Sequence, residues 1–183
     1  IFADSDRSLT LGNYLFRLLD GIAMTTVMLP DNTVLSEDVF TGSFLEGIYV
    51  YGSGTLVSDA HISLIDGQLY TDNGATLFRS MLRKYDAASS KWEDVNPDDP
   101  ATYIVSSSVH TDDGDVQVTG IAGGAFTRRN LKNVVIPAGI IRLDDQAFYE
   151  SYIKSVPLDK DNPAFTVDNG LLVENGGRSA LIR

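Results

Sequence analysis

The chain has no cysteine, which excludes the small extracellular domains held together by disulfides and removes any redox evidence about compartment. Histidine is scarce: only His61 and His110 occur, and no G-x-S-x-G elbow accompanies them. A hydrolytic nucleophile with an imidazole base therefore has few candidates, and both histidines, set among polar loop residues, read as solvated side chains. The "AGG" at 122–124 lacks the Lys-Ser/Thr of a phosphate-binding loop and runs straight into Phe126. Basic residues are in short supply, 14 against 25 acidic, for a net charge of −11 and a pI near 4.4. That balance argues against nucleic acid and anionic membranes as partners. No apolar run approaches the roughly 18 residues of a membrane span; the longest are broken by Asp, Gly or Pro. Residue 1 is Ile, with no charged and then apolar leader pattern after it. The chain reads as a mature or excised segment, with neighbouring repeats expected on both sides.

What is present is repetition. "LGNYLF" (11–16), "LSEDVF" (35–40), "IAGGAF" (121–126) and "LDDQAF" (143–148) each begin apolar and end in Phe. Phe16 to Phe40 spans 24 residues and Phe126 to Phe148 spans 22, inside the roughly 20–29 residue period of leucine-rich repeats. Five, eight and ten residues after three of those Phe residues stand Leu45, Ile48, Val50; Leu131, Val134, Ile136; and Ile153, Val156, Leu158. After Phe16 the run Met24-x-x-Val27-x-Leu29 comes about three residues late. All four read as L-x-x-L-x-L, a spacing that suits neither one amphipathic helix nor one alternating strand. Such a unit cannot bury its apolar edge alone, so neighbours must stack. Stacking predicts continuous interior columns, one of them of Phe40, Phe126 and Phe148.

A larger period lies above this one. "DGQLYTDNGATLF" (66–78) and "NGLLVENGGRSALI" (169–182) each hold an Asn-Gly pair between two short apolar runs, the signal for a hairpin with a type I′ turn. The order in each half is repeat, repeat, hairpin. Between the halves, residues 83–117 are rich in Asp, Ser and Pro, hold the only Trp, Trp92, and match the repeat poorly. The expected organisation is repeats plus hairpin over 1–82, an irregular insertion over 83–117 with a strand within 102–109, and repeats plus hairpin over 118–183. With 183 residues these parts fit one continuous domain. The expected fold is mostly β, with short helical or irregular return segments and inserted hairpins.

These features resemble the BspA-like leucine-rich repeat family, through "IAGGAF…LKNVVIP", "LDDQAF…IKSVPL" and the hairpin segment "NPAFTVDNGLLVENGGRSALI" (162–182). The resemblance covers about 11–79 and 118–183. It implies a right-handed solenoid, secreted or displayed on a bacterial cell surface, in a family linked to adhesion to host proteins and other cells.

Chemistry-bearing clusters are few. Asp112, Asp113 and Asp115 in "TDDGDVQ" offer oxygen ligands of the kind calcium accepts, but without the EF-hand spacing or its distal Glu, and they read as a solvated turn. Arg128, Arg129 and Lys132 form the one basic cluster, either a recognition patch or a solvated repeat turn. No metal, cofactor or catalytic residue is expected. In L-x-x-L-x-L strands the leucine positions point inward, so the intervening positions pave an exposed sheet face. That face should carry Thr26, Met28, Glu46, Tyr49, Lys132, Val135, Lys154 and Pro157, with Tyr51 at its margin. The function expected is non-enzymatic: an extracellular or cell-surface adhesion module contacting a host protein or glycan, with a spacer or stalk as the alternative.

Overall fold

The structure is a computed structural model that describes residues 10–11, 25–36, 39–40, 43–52, 56–58, 61–175 and 178–182. The Phe16 and Met24 positions of the expected first repeat lie outside these residues. Five short strands open the fold: β1 (Thr10–Leu11), β2 (Thr26–Leu29), β3 (Thr33–Leu35), β4 (Gly47–Val50) and β5 (Leu56–Ser58). An antiparallel ribbon follows, of β6 (Ser63–Ile65), β7 (Gln68–Thr71) and β8 (Thr76–Arg79). Next come a hairpin of β9 (Arg83–Asp86) and β10 (Lys91–Asp94), the strand β11 (Thr102–Ile104), and a hairpin of β12 (Ser108–Thr111) and β13 (Gly114–Gln117). The chain then runs through β14 (Gly120–Ile121), β15 (Asn130–Val135), β16 (Arg142–Leu143) and β17 (Tyr152–Ser155) into a second ribbon of β18 (Phe165–Asp168), β19 (Leu171–Glu174) and β20 (Arg178–Ile182).

The result is a mostly β chain wound into a β-solenoid of about six turns, with no α-helix among the described residues. Two sets of parallel strands run along it. One holds β2 against β4 and β11 against β15 and β17; the other holds β1–β3–β5 and β8–β14–β16. Successive turns meet through a repeated step in which two consecutive N–H groups donate to one carbonyl of a neighbouring turn. Glu46 and Gly47 donate to Thr25, Leu82 and Arg83 to Glu46, and Lys132 and Asn133 to Ala101. On the other side of the turn, Thr119 and Gly120 donate to Ala75, and Ile141 and Arg142 to Thr119. The inward register of the L-x-x-L-x-L spacing thus begins with a small kink, which is why three consecutive inward positions do not alternate strictly.

The expected columns form in part, within each of two apolar clusters rather than continuously along the chain. Leu45, Ile48 and Val50 are buried, as are Leu131, Val134 and Ile136. Ile153, Val156 and Leu158 in the last of these strands are half-buried. Phe126 and Phe148 stack with ring centroids 5.0 Å apart and planes 6° apart, while Phe40 is buried in a separate apolar cluster nearer the start of the chain. The return segments after Gly123 and Asp145 are turns rather than helices. Residues 83–117, expected to be irregular, supply two hairpins and β11, whose Tyr103 pairs in register with Val134 and enters the core.

The turn chemistry differs from expectation in one respect. Both ribbons have three strands, and the two-residue turns with positive φ at both positions are Asp66-Gly67 and Asn169-Gly170, at the entry to each ribbon. This is the conformation a type I′ turn requires. Asn73-Gly74 instead lies in a longer connection, one turn of 3₁₀ helix over Asp72–Gly74, closed by a 2.6 Å hydrogen bond from Thr76 Oγ1 to Asp72.

Two apolar clusters, both drawing on β7 and β8, share the interior with buried polar side chains. Arg79 and Arg129 are both buried there. Arg79 donates to the carbonyls of Gly124 (3.1 Å), Ser43 (2.8 Å) and Thr127 (3.4 Å). Arg129 donates to Leu45 O at 2.7 Å, to Ser80 O and to Ser80 Oγ. Each guanidinium therefore ties together backbone from three successive turns, using the fixed fork of donors that lysine lacks. Burial pushes Arg79 down to about 9, helped by the neighbouring Arg129 and Arg128. Burial also lowers Arg129 to about 10, with Glu46 and Tyr103 pulling the other way. Both stay charged at neutral pH. Beside them Gln68 exchanges two hydrogen bonds with the backbone of Met81 and accepts the Tyr103 hydroxyl at 2.7 Å. Burial, reinforced by the nearby Tyr70 phenol, holds the Tyr103 phenol well above its ordinary range.

Candidate functional site

The candidate site is the outward face of the β2–β4 sheet. Strand alternation turns Val27, Ile48 and Val50 toward the core and leaves Met28 and Tyr49, which are partners in register, on the outside. The Tyr51 hydroxyl donates to Met28 Sδ at 3.1 Å, and the Tyr51 ring meets Tyr49 edge-on at 5.3 Å. From Tyr49 the row continues to Tyr85, 4.6 Å away, and then to Trp92 at 5.4 Å. Four aromatic rings and a thioether thus form one partly exposed strip across β2, β4 and the β9–β10 hairpin. Tyr85 and Trp92 are cross-strand partners in β9–β10, and the Arg83–Asp94 ion pair (3.5 Å) stands two residues along on the same hairpin face.

Gly47 is what lets the hairpin reach the sheet. A Cβ there would lie 2.6 Å from Trp92 Cζ3 and 3.0 Å from the Arg83 carbonyl oxygen. Gly47→Val is therefore expected to push the hairpin off the sheet, costing about 2 kcal/mol and shifting Trp92 emission to the red. Urea unfolding followed by tryptophan fluorescence checks both; an unchanged spectrum would mean that the hairpin does not lean on β4.

The other expected face residues fall into two groups. Thr26 and Glu46 flank the aromatic strip; Thr26 is in register with Gly47, and the Glu46 backbone carries the hydrogen bonds that dock the hairpin. Lys132, Val135 and Lys154 lie farther along, on β15 and β17, with Lys132 and Lys154 exposed, Val135 beside Ile104, and Pro157 exposed beyond β17. A polar ladder runs between them: Asn133 donates to Thr102 Oγ1 at 2.9 Å and accepts from Ser155 Oγ at 2.7 Å. The residues expected from the sequence are thus not one patch, since β9–β10 and β11 stand between the aromatic and the basic parts. Tyr85 and Trp92 were not expected. The signal for them is "RKYDAASSKWED", where an aromatic sits at a matching position on either side of the small residues Ala87–Ser90.

The basic cluster separates. Arg129 is a buried clip, Arg128 pairs with Glu150 at 3.0 Å, and of the three only Lys132 stands as an exposed charge on the sheet. His110 bonds Asp115 across β12–β13 at 2.8 Å, with both side chains largely exposed. His61 is exposed as well. The carboxylates of Asp112, Asp113 and Asp115 do not converge: among the described residues no group of three His, Asp or Glu side chains could hold a metal ion. Nor is any described helix long and apolar enough to cross a membrane. No protein-family model, curated protein or solved structure matches the chain.

Proposed function

We propose that this chain is a right-handed leucine-rich-repeat solenoid of BspA-like type, secreted or displayed on the surface of a bacterial cell. It acts without catalysis, as a binding or adhesion module. Its exposed sheet face contacts a host extracellular or cell-surface protein or glycan. The observation that carries this reading is the strip from Met28 and Tyr51 through Tyr49 and Tyr85 to Trp92. Tyr, Trp and Met are the residues enriched where proteins meet partners, and Tyr and Trp give large contact area for little loss of side-chain freedom. A stacked solenoid holds such groups rigid before binding, so little ordering is lost on contact. Repetition along a longer parent protein would multiply weak contacts into avidity.

The test is binding of the purified chain to an immobilised panel of extracellular-matrix proteins and glycans, with a Tyr49→Ala/Lys132→Glu variant alongside. Saturable binding that the variant loses by about tenfold or more is the expected result. Binding equal in both proteins would remove the sheet face from the account. No binding to any of the panel would favour the alternative, a spacer that holds another domain away from the cell.

A further inference from the structure

A second surface, apart from the aromatic strip, follows from the repeat itself. Phe44, Asn130 and Tyr152 each stand four residues after a repeat Phe and directly before an inward apolar position; Asn130 and Tyr152 are partners in register. Arg128 and Glu150 stand two residues after Phe126 and Phe148, both at positive φ (59° and 51°). Together with Ser151 these residues line a groove of about 610 Å³. Arg128 Nε donates to Glu150 Oε2 at 3.0 Å, and its guanidinium lies over the Phe44 ring, 5.0 Å from the centroid. The two charges cancel, so the groove is locally neutral although the chain as a whole carries −11.

We propose that this groove is a binding site for a neutral saccharide. Arg128 spends only Nε on Glu150. Its two terminal nitrogens, Glu150 Oε1, the Asn130 amide and the Tyr152 hydroxyl have no hydrogen-bond partner among the described residues. Tyr152 is 79% exposed and its ring has no aromatic neighbour among the described residues. A pyranose presents adjacent hydroxyls, each able to donate and accept, and a C–H face that lies against an aromatic ring. The Arg128–Glu150 pair, held by its own hydrogen bond and by Phe44 and without net charge, supplies planar donors and acceptors beside an open tyrosine face, which matches both features. A charged ligand would have to compete with the Arg128–Glu150 pair. A peptide anchor would need an enclosed pocket, whereas this groove is open along its length. Small contact area sets the affinity in the millimolar range for one sugar ring, and repeated grooves would raise it by avidity.

Saturation-transfer NMR with the purified chain tests this, using neutral hexoses, N-acetylhexosamines and their disaccharides, with a uronic acid and short peptides for comparison. Saturable millimolar binding of at least one neutral sugar is expected, weakened on the order of tenfold in Tyr152→Ala and in Asn130→Ala. Both replaced side chains are exposed, so the fold should survive. Tyr49→Ala should leave sugar binding unchanged, which separates this site from the sheet face. No transfer to any neutral sugar, equal binding in both groove variants, or a preference for the peptides would overturn the proposal.

Discussion

Replacing Arg129 by methionine is expected to destabilise the chain by about 3 kcal/mol or more. Methionine fills similar space but donates nothing, so the carbonyls of Leu45 and Ser80 would lose a buried donor. Each orphaned carbonyl costs about 1–3 kcal/mol, against a total stability on the order of 5–15 kcal/mol. Arg129→Lys should fall between, because one ammonium on a flexible stem cannot hold two carbonyls and a hydroxyl as a guanidinium does. Arg128→Met serves as the comparison. Its ion pair with Glu150 and its contact with Phe44 are partly exposed, and such interactions are worth about 1 kcal/mol or less. Urea unfolding of the three variants gives the ranking. An Arg129→Met protein as stable as its parent would mean that an apolar junction serves equally well, as happens for some buried charges, and that Arg129 does not hold the turns together.

Phe126→Ala is expected to cost about 3–5 kcal/mol and to lower the melting temperature by on the order of 10 °C. Phe126 is fully buried, stacked on Phe148 and met edge-on by Tyr103 at 5.2 Å. Its removal opens a void between two turns whose backbones are fixed by hydrogen bonds, including Phe126 N–H to Ala147 O at 2.8 Å. The surroundings therefore cannot collapse to fill it. Phe148→Ala should cost less, because Phe148 is 9% exposed and borders the last inward strand positions, which are only half-buried. Equal losses from the two substitutions would argue against a column that is packed in its interior and loose at its end.

Much of this architecture is legible in the residues. The L-x-x-L-x-L spacing picks out Leu45, Ile48, Val50, Leu131, Val134 and Ile136, and all six are buried; their period is the direct consequence of stacking one strand per turn. The strand expected within 102–109 is present at 102–104, but its place in the stack is not legible, because residues flanked by Asp, Pro and Ser do not show that Tyr103 pairs with Val134 of β15. Arg129 is misleading in sequence, since a charged residue beside another in a repeat turn ordinarily faces water. Only the convergence of the Leu45 and Ser80 carbonyls from two other turns makes a buried guanidinium tenable there. The aromatic strip is half legible: Met28, Tyr49 and Tyr51 follow from strand alternation, whereas Tyr85 and Trp92 join them only because Gly47 leaves room for the hairpin.

The claim on which the rest depends is that successive turns stack as parallel strands, with Tyr103 beside Val134, Leu131 beside Ile153 and Met28 beside Tyr49. The most direct measurement is the set of interstrand proton contacts in an isotope-labelled sample of the chain. Parallel pairing predicts amide-to-α contacts across each of these three pairs. Close α-to-α contacts across any of them, the mark of antiparallel strands, would contradict the solenoid and with it the face on which the proposed binding rests.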